Sequence, residues 1–134
     1  MSSVPPLRVL VVDDEPHVLR LIEDLLTADG HEVDTLTDGR QVLARVAATP
    51  FDVIVSDMCM PGMGGRALHH ALAAAHPELI PRMVFISGDP LAAATDARLA
   101  TAGVRILAKP FTWDALRDAL RAAVGCEQEQ VGAK

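Results

Sequence analysis

The sequence predicts an α/β fold: a five-stranded parallel sheet, doubly wound, in an alternating (βα)5 chain. Short runs of consecutive apolar residues alternate five times with stretches whose apolar residues recur at helical spacing. The runs are apolar on successive residues, as strands covered on both faces by crossover helices require. A length of 134 residues suits one domain, able to bury about two thirds of its unfolded surface.

The first run is Val9 to Val12, followed by Val18, Ile22, Leu25 and Leu26 on a helix that Gly30 stops. Pro16 fits the first turn of that helix, where its missing N–H costs nothing. A more polar strand, Glu32 to Leu36, reads as a sheet edge, and Asp38 is placed to cap a helix carrying Val42, Leu43 and Val46. Val53 to Ser56 is the third run, closed by Asp57. The loop from Met58 to Gly65 leads into a helix with Leu68, Ala71, Leu72 and Ala75 on one face, ended by Pro77 and Pro81. The fourth run, Met83 to Ile86, finishes at Ser87-Gly88-Asp89-Pro90, and an Ala-rich helix from about Leu91 to Ala102 carries few large anchors. The fifth, Val104 to Ala108, reaches Lys109-Pro110-Phe111. Trp113, Leu116, Leu120 and Val124 then mark a final helix. Residues 1–6 read as a lead-in, 7–126 as the domain and 127–134 as a short frayed tail.

Half the residues are hydrophobic but only 3% are aromatic, so Val, Leu, Ile and Ala must build the core. The formal charge of -6 argues against a nucleic-acid or anionic-membrane footprint. No apolar run approaches the roughly 18 residues of a membrane-spanning helix, and the residues before Asp13 have neither a charged start nor a long apolar segment, so a signal peptide is not expected. Cys59 and Cys126 have neither metal-ligand spacing nor a disulfide framework, which fits thiols in a cytoplasm. The five histidines, His17, His31, His69, His70 and His76, read as surface residues.

In a doubly wound sheet the working crevice lies beyond the carboxyl ends of the strands, and Asp13, Asp14, Asp57, Ser87 and Lys109 all stand there. Carboxylates gathered at about 4 Å repel by roughly 4 kcal/mol per pair at an effective dielectric near 20, so such a cluster needs a cation. Oxygen ligands of this charge suit Mg2+, with Asp14 and Asp57 as direct ligands and Asp13 holding a bound water. Helix or loop capping is the alternative for each of the three. Beside a cation, the Asp57 carboxylate can also attack phosphorus. Lys109 has the reach to ion-pair with Asp57 or with a phosphoryl oxygen, unless it is simply solvated. Ser87 offers a hydroxyl for another such oxygen, or starts the turn at Gly88.

The ordered set Asp13-Asp14, Asp57, Met60-Pro61-Gly62, Ser87-Gly88 and Lys109-Pro110-Phe111 resembles the receiver domain of two-component response regulators over roughly residues 7–125. The resemblance implies a flavodoxin-like, Mg2+-dependent phosphoacceptor. In it, Asp57 takes a phosphoryl group from a phosphohistidine on a sensor histidine kinase or histidine phosphotransfer protein. It further implies that the main-chain carbonyl of Cys59 completes the metal site and that the Lys109-Pro110 peptide bond is cis. Ser87 is expected to move toward the phosphoryl group. Position 106, often aromatic in this family, is Ile106, which puts an aromatic rotamer switch in doubt. Gly64 stands where Asp or Asn is common, and Cys59 and Asp89 flank the path of the hydrolytic water.

Such a chain catalyses its own phosphorylation and slow dephosphorylation without being a dedicated enzyme. A dedicated phosphatase would want a second acid at position 59, where Cys59 stands. The remaining alternative is a receiver-like interaction module that is not phosphorylated. The 134 residues contain no output domain, so the expectation is a free-standing receiver or a segment of a larger protein such as a hybrid sensor histidine kinase. Partner binding, including homodimerisation, is expected on the face of the fourth helix, fifth strand and fifth helix.

Overall fold

The computed structural model describes residues 6–58, 63–88 and 105–132, with side chains through residue 125. The elements run β1 (Arg8–Val12), α1 (Pro16–Ala28), β2 (Glu32–Leu36), a 3-10 turn (Gly39–Gln41), α2 (Val42–Ala48), β3 (Val53–Asp57) and α3 (Gly65–Ala75). A 3-10 segment (Pro77–Arg82), β4 (Met83–Ser87), β5 (Arg105–Ala108) and α4 (Trp113–Gly132) follow. The expected Ala-rich helix, Leu91 to Ala102, lies outside the described residues.

All five strands pair in parallel in the order β2-β1-β3-β4-β5. The polar strand Glu32–Leu36 is therefore an edge. Strand alternation divides the core in two. Val9, Val11, Val53, Val55, Val84 and Ile86 pack with Leu19, Ile22 and Leu26 of α1 and with Leu116, Leu120 and Ala123 of α4. Leu10, Val12, Ile54, Met83 and Phe85 pack with Val42 of α2 and with Leu68 and Leu72 of α3.

α1 ends where Gly30 takes φ 95°, a conformation that favours glycine, and the Gly30 and His31 N–H groups donate back to the Thr27 and Leu26 carbonyls. The helix turns a slightly different face inward than its spacing suggests. Leu19, Ile22 and Leu26 are buried, Val18 and Leu25 are half-buried, and Leu21 is 52% exposed. Asp38 caps the 3-10 turn, accepting from the Arg40 N–H at 2.8 Å, and α2 starts only at Val42. The chain stays in 3-10 form from Pro77 through Pro81 to Arg82, so the prolines end α3 without opening a loop. At the other end, α4 continues to Gly132, past the start of the anticipated tail at residue 127. Gly125 does not stop it, and Glu127 to Gln130 are good helix formers. Among the described residues no helix is long and apolar enough to cross a membrane.

Two histidines expected at the surface are buried, His31 and His69. His31 Nδ1 accepts the Leu7 N–H at 3.0 Å, fastening the α1–β2 turn to the start of β1, and Nε2 lies 3.6 Å from Asp29 Oδ2. Burial holds the imidazole below its ordinary value of 6.5, with Asp29 pulling the other way. A lowered folded-state value means that the stability tied to neutral His31 is fully present above pH 6.5 and is lost as the pH falls below it. His31→Gln keeps an acceptor without a titrating ring. Its urea midpoint is expected to approach or overtake that of the wild type as the pH drops from 7 to 5.

Candidate phosphoacceptor and metal site

Parallel pairing brings the site together by register alone. Val12 faces Ser56, so Asp13 and Asp57 are the next residues on neighbouring strands. They flank the point where the strand order reverses, between β1 and β3, which is where a doubly wound sheet opens its crevice. Asp57 faces Ile86 of β4, and Ser87 follows; Ser87 in turn pairs with Ala108, and the Lys109 N–H donates to the Ser87 carbonyl at 2.9 Å. The Lys109-Pro110 peptide bond is cis.

Carboxylate oxygens of Asp13, Asp14 and Asp57 all lie within 4.8 Å of one another. Asp13 and Asp57 are buried and Asp14 is half-buried. Lys109 Nζ stands 3.5 Å from Asp57 Oδ2. The Lys109 ammonium carries one positive charge against the three carboxylates of the cluster.

Neither Asp13 nor Asp14 is the N-cap residue of α1. Glu15 occupies the N-cap position of α1, and no side chain caps that helix end. Asp13 Oδ1 accepts the Glu15 N–H at 2.9 Å, an Asx turn that spends one of its two oxygens. Asp13 Oδ2 is buried and accepts no hydrogen bond among the described residues. Burial pushes the Asp13 carboxyl up to about 6; the Glu15 N–H opposes that, Asp57 reinforces it, Lys109 opposes it and Asp14 adds to it. An orphaned buried oxygen, a donor set made only of oxygens and an excess of negative charge together fit a small hard dication.

Ser87 is buried at the end of β4. Ile106 is half-buried on the α2/α3 side of the sheet, with Phe85 as its register partner. Cys59, Asp89 and the Met60-Pro61-Gly62 stretch lie outside the described residues.

An apolar groove of about 380 Å³, lined by Val18, Leu21, Lys109, Pro110 and Phe111, adjoins the site and was not foreseen. Its one sequence signal is Leu21, an apolar residue off the buried stripe of α1. A second hollow of about 510 Å³ lies at the opposite, amino-terminal end of β3, rimmed by the Arg82–Asp52 and His76–Glu78 pairs.

Comparison with known proteins adds the following. The chain is 34% identical over 122 residues to the DNA-binding transcriptional regulator NtrC of Salmonella typhimurium, covering 91% of this chain and 26% of that protein. It is also 34% identical over 118 residues to the C4-dicarboxylate transport transcriptional regulatory protein DctD of Pseudomonas aeruginosa, covering 87% and 25%. The chain thus spans about a quarter of the length of these curated relatives. Among solved structures it is similar to a response regulator receiver domain protein from Clostridium thermocellum, with a TM-score of 0.79, 27% identity and coverage of 92% of this chain and 98% of that one. The chemotaxis response regulator CheY4 of Vibrio cholerae gives a TM-score of 0.76, 28% identity and coverage of 89% and 99%. The family model of the response regulator receiver domain matches residues 9–121. With its five-stranded parallel sheet and its acidic crevice, the chain belongs to the response regulator receiver domains of two-component signalling systems.

Proposed function

We propose that this chain takes a phosphoryl group from a partner phosphohistidine onto Asp57 and that the loaded state changes which partner it binds. The observation that carries the reading is the Asp57 carboxylate, buried among two further carboxylates and 3.5 Å from the Lys109 ammonium. An Asp57 oxygen attacks phosphorus as the P–N bond breaks, and the imidazole of the donor leaves as the neutral base after taking up a proton. The charge of the transferring group spreads over three oxygens, so positioning and countercharge do most of the work. Lys109, already beside Asp57, pairs with one of those oxygens, and the Ser87 hydroxyl serves another. Asp13, Asp14, Asp57 and the main-chain carbonyl of Cys59 would hold Mg2+, which would supply countercharge for the transferring group.

The donor is a sensor histidine kinase or a histidine phosphotransfer protein. The apolar groove beside Lys109, with the exposed Leu21, offers such a partner a landing place next to the acceptor. Output, including homodimer formation, is proposed for the face of the Ala-rich segment Leu91 to Ala102, β5 and α4. There Ser87 and Ile106 respond to loading, with an aliphatic Ile106 in place of an aromatic switch. In this reading the chain works in the cytoplasm with reduced thiols at Cys59 and Cys126. It catalyses its own loading and slow hydrolysis, alone or as the receiver of a larger protein such as a hybrid kinase.

The test is incubation with acetyl phosphate, with Mg2+ or with a chelator, followed by intact mass. One hydroxylamine-sensitive phosphoryl adduct that requires Mg2+ is expected. If the folded wild type gains no adduct from acetyl phosphate or from a phosphorylated histidine phosphotransfer protein, the phosphoacceptor reading is wrong.

A further inference from the structure

Gly65 opens α3 and returns the chain to the end of β3. Its N–H donates to the Met58 carbonyl at 2.7 Å, while the Met58 N–H donates to the Ile86 carbonyl at 2.8 Å. Met58, which shares a peptide unit with Asp57, is therefore fastened on one side to β4 and on the other to the start of α3. Gly65 is not needed for its backbone conformation, since Gly30 is the residue with positive φ among those described. It is needed for space. A methyl group at position 65 would lie 3.1 Å from Met58 Cα and 3.3 Å from the Met58 carbonyl oxygen, and it would overlap the Met58 thioether sulfur.

We propose that Gly65 is a positioning residue for phosphorylation of Asp57: its missing side chain lets Met58 dock against the start of α3, which fixes the backbone that carries the acceptor. This rests on Asp57 being the acceptor. A methyl at 65 swings the flexible thioether aside, but the contacts with Cα and the carbonyl oxygen are backbone, and relieving them shifts the peptide that follows Asp57 relative to the start of α3 to which it is hydrogen-bonded. In-line attack on phosphorus is sensitive to displacements well below 1 Å.

Gly65→Ala is expected to slow loading from saturating acetyl phosphate and Mg2+ by about tenfold while leaving KM for the donor near that of the wild type. The melting temperature and circular dichroism establish that it is folded. Met58→Ala keeps both main-chain bonds and removes the thioether, and it serves as the reference. Adding Gly65→Ala to Met58→Ala is expected to slow loading by about tenfold again, because the contacts with the position-58 Cα and carbonyl oxygen remain when the thioether is gone. Wild-type loading in Gly65→Ala would overturn the proposal, and so would loading in the double variant no slower than in Met58→Ala. The second comparison decides the matter even where the single variant does not fold. A wild type that loads no phosphate defeats the phosphoacceptor reading itself and is read out separately.

Discussion

Asp57→Asn is expected to take up no phosphoryl group from acetyl phosphate and Mg2+ while melting at least as high as the wild type in the absence of metal. The amide fits the same space but is no nucleophile toward phosphorus, so the chemistry stops. Its effect on stability follows from the charges. Asp57 is attracted to Lys109 at 3.5 Å and repelled by Asp13 and Asp14 at up to 4.8 Å. With an effective dielectric of 20, the lost attraction is about 5 kcal/mol and the two relieved repulsions total about 7, a balance near or slightly above zero before solvent screening. Loss of loading in a variant that melts no lower cannot be ascribed to unfolding. Intact mass and a melting curve settle both halves, and an adduct that persists in Asp57→Asn would show that the acceptor is elsewhere.

The second large effect is a change in the sign of the pH dependence. The Asp13 carboxyl, ordinarily at 3.8, is raised to about 6 by burial and by its acidic neighbours. A raised value means that the folded state holds its proton more tightly. The associated stability is fully present below 3.8 and is lost as the pH rises through about 6. The shift of roughly two units corresponds to at most about 3 kcal/mol. Asp13→Asn, which keeps an acceptor for the Glu15 N–H and brings donors toward the other carboxylates, is expected to be more stable than the wild type at pH 7.5 without metal by about 1–3 kcal/mol. The advantage should shrink toward zero near pH 4. Mg2+ should raise the melting temperature of the wild type more than that of the variant, since it acts on the same excess of charge. Urea midpoints in a chelator at the two pH values check the first part. A variant less stable than the wild type at pH 7.5 would refute it. His31 acts in the opposite direction below pH 6.5, so each group is isolated by comparing its variant with the wild type at one pH.

Much of this molecule is legible in its sequence because two periods differ so clearly. Consecutive apolar residues such as Val53 to Val55 leave no solvent face, and the helical recurrence of Leu68 and Leu72 leaves one. Once the strands are parallel, the carboxyl ends of all five share an edge, which is why the sequence alone groups Asp13, Asp57, Ser87 and Lys109. What escaped depends on smaller margins. α1 contains enough Leu and Val residues to support more than one helical phase, so packing decides that Leu19 is buried and Leu21 is exposed. His31 carries no sign of its burial, because its partner is the main chain of Leu7, far away in sequence. The contact between Gly65 and Met58 is set by how a loop returns, and Gly65 in isolation reads as a turn residue.

The two-sided core has a further meaning at the site. In β3, Val53 and Val55 point toward α1 and α4, and Asp57 continues that odd-numbered series; Asp13 and Lys109 continue the series of Val9, Val11 and Leu107 on the same side. Ser87 instead continues the series of Met83 and Phe85 toward α2 and α3, where Ile106 also packs. Asp13, Asp57 and Lys109 thus follow one parity and Ser87 and Ile106 the other, on opposite faces of one sheet. A one-residue insertion between Val55 and Asp57 would invert that parity at the end of β3, turning Asp57 away from Lys109 and toward the side where Ile106 packs.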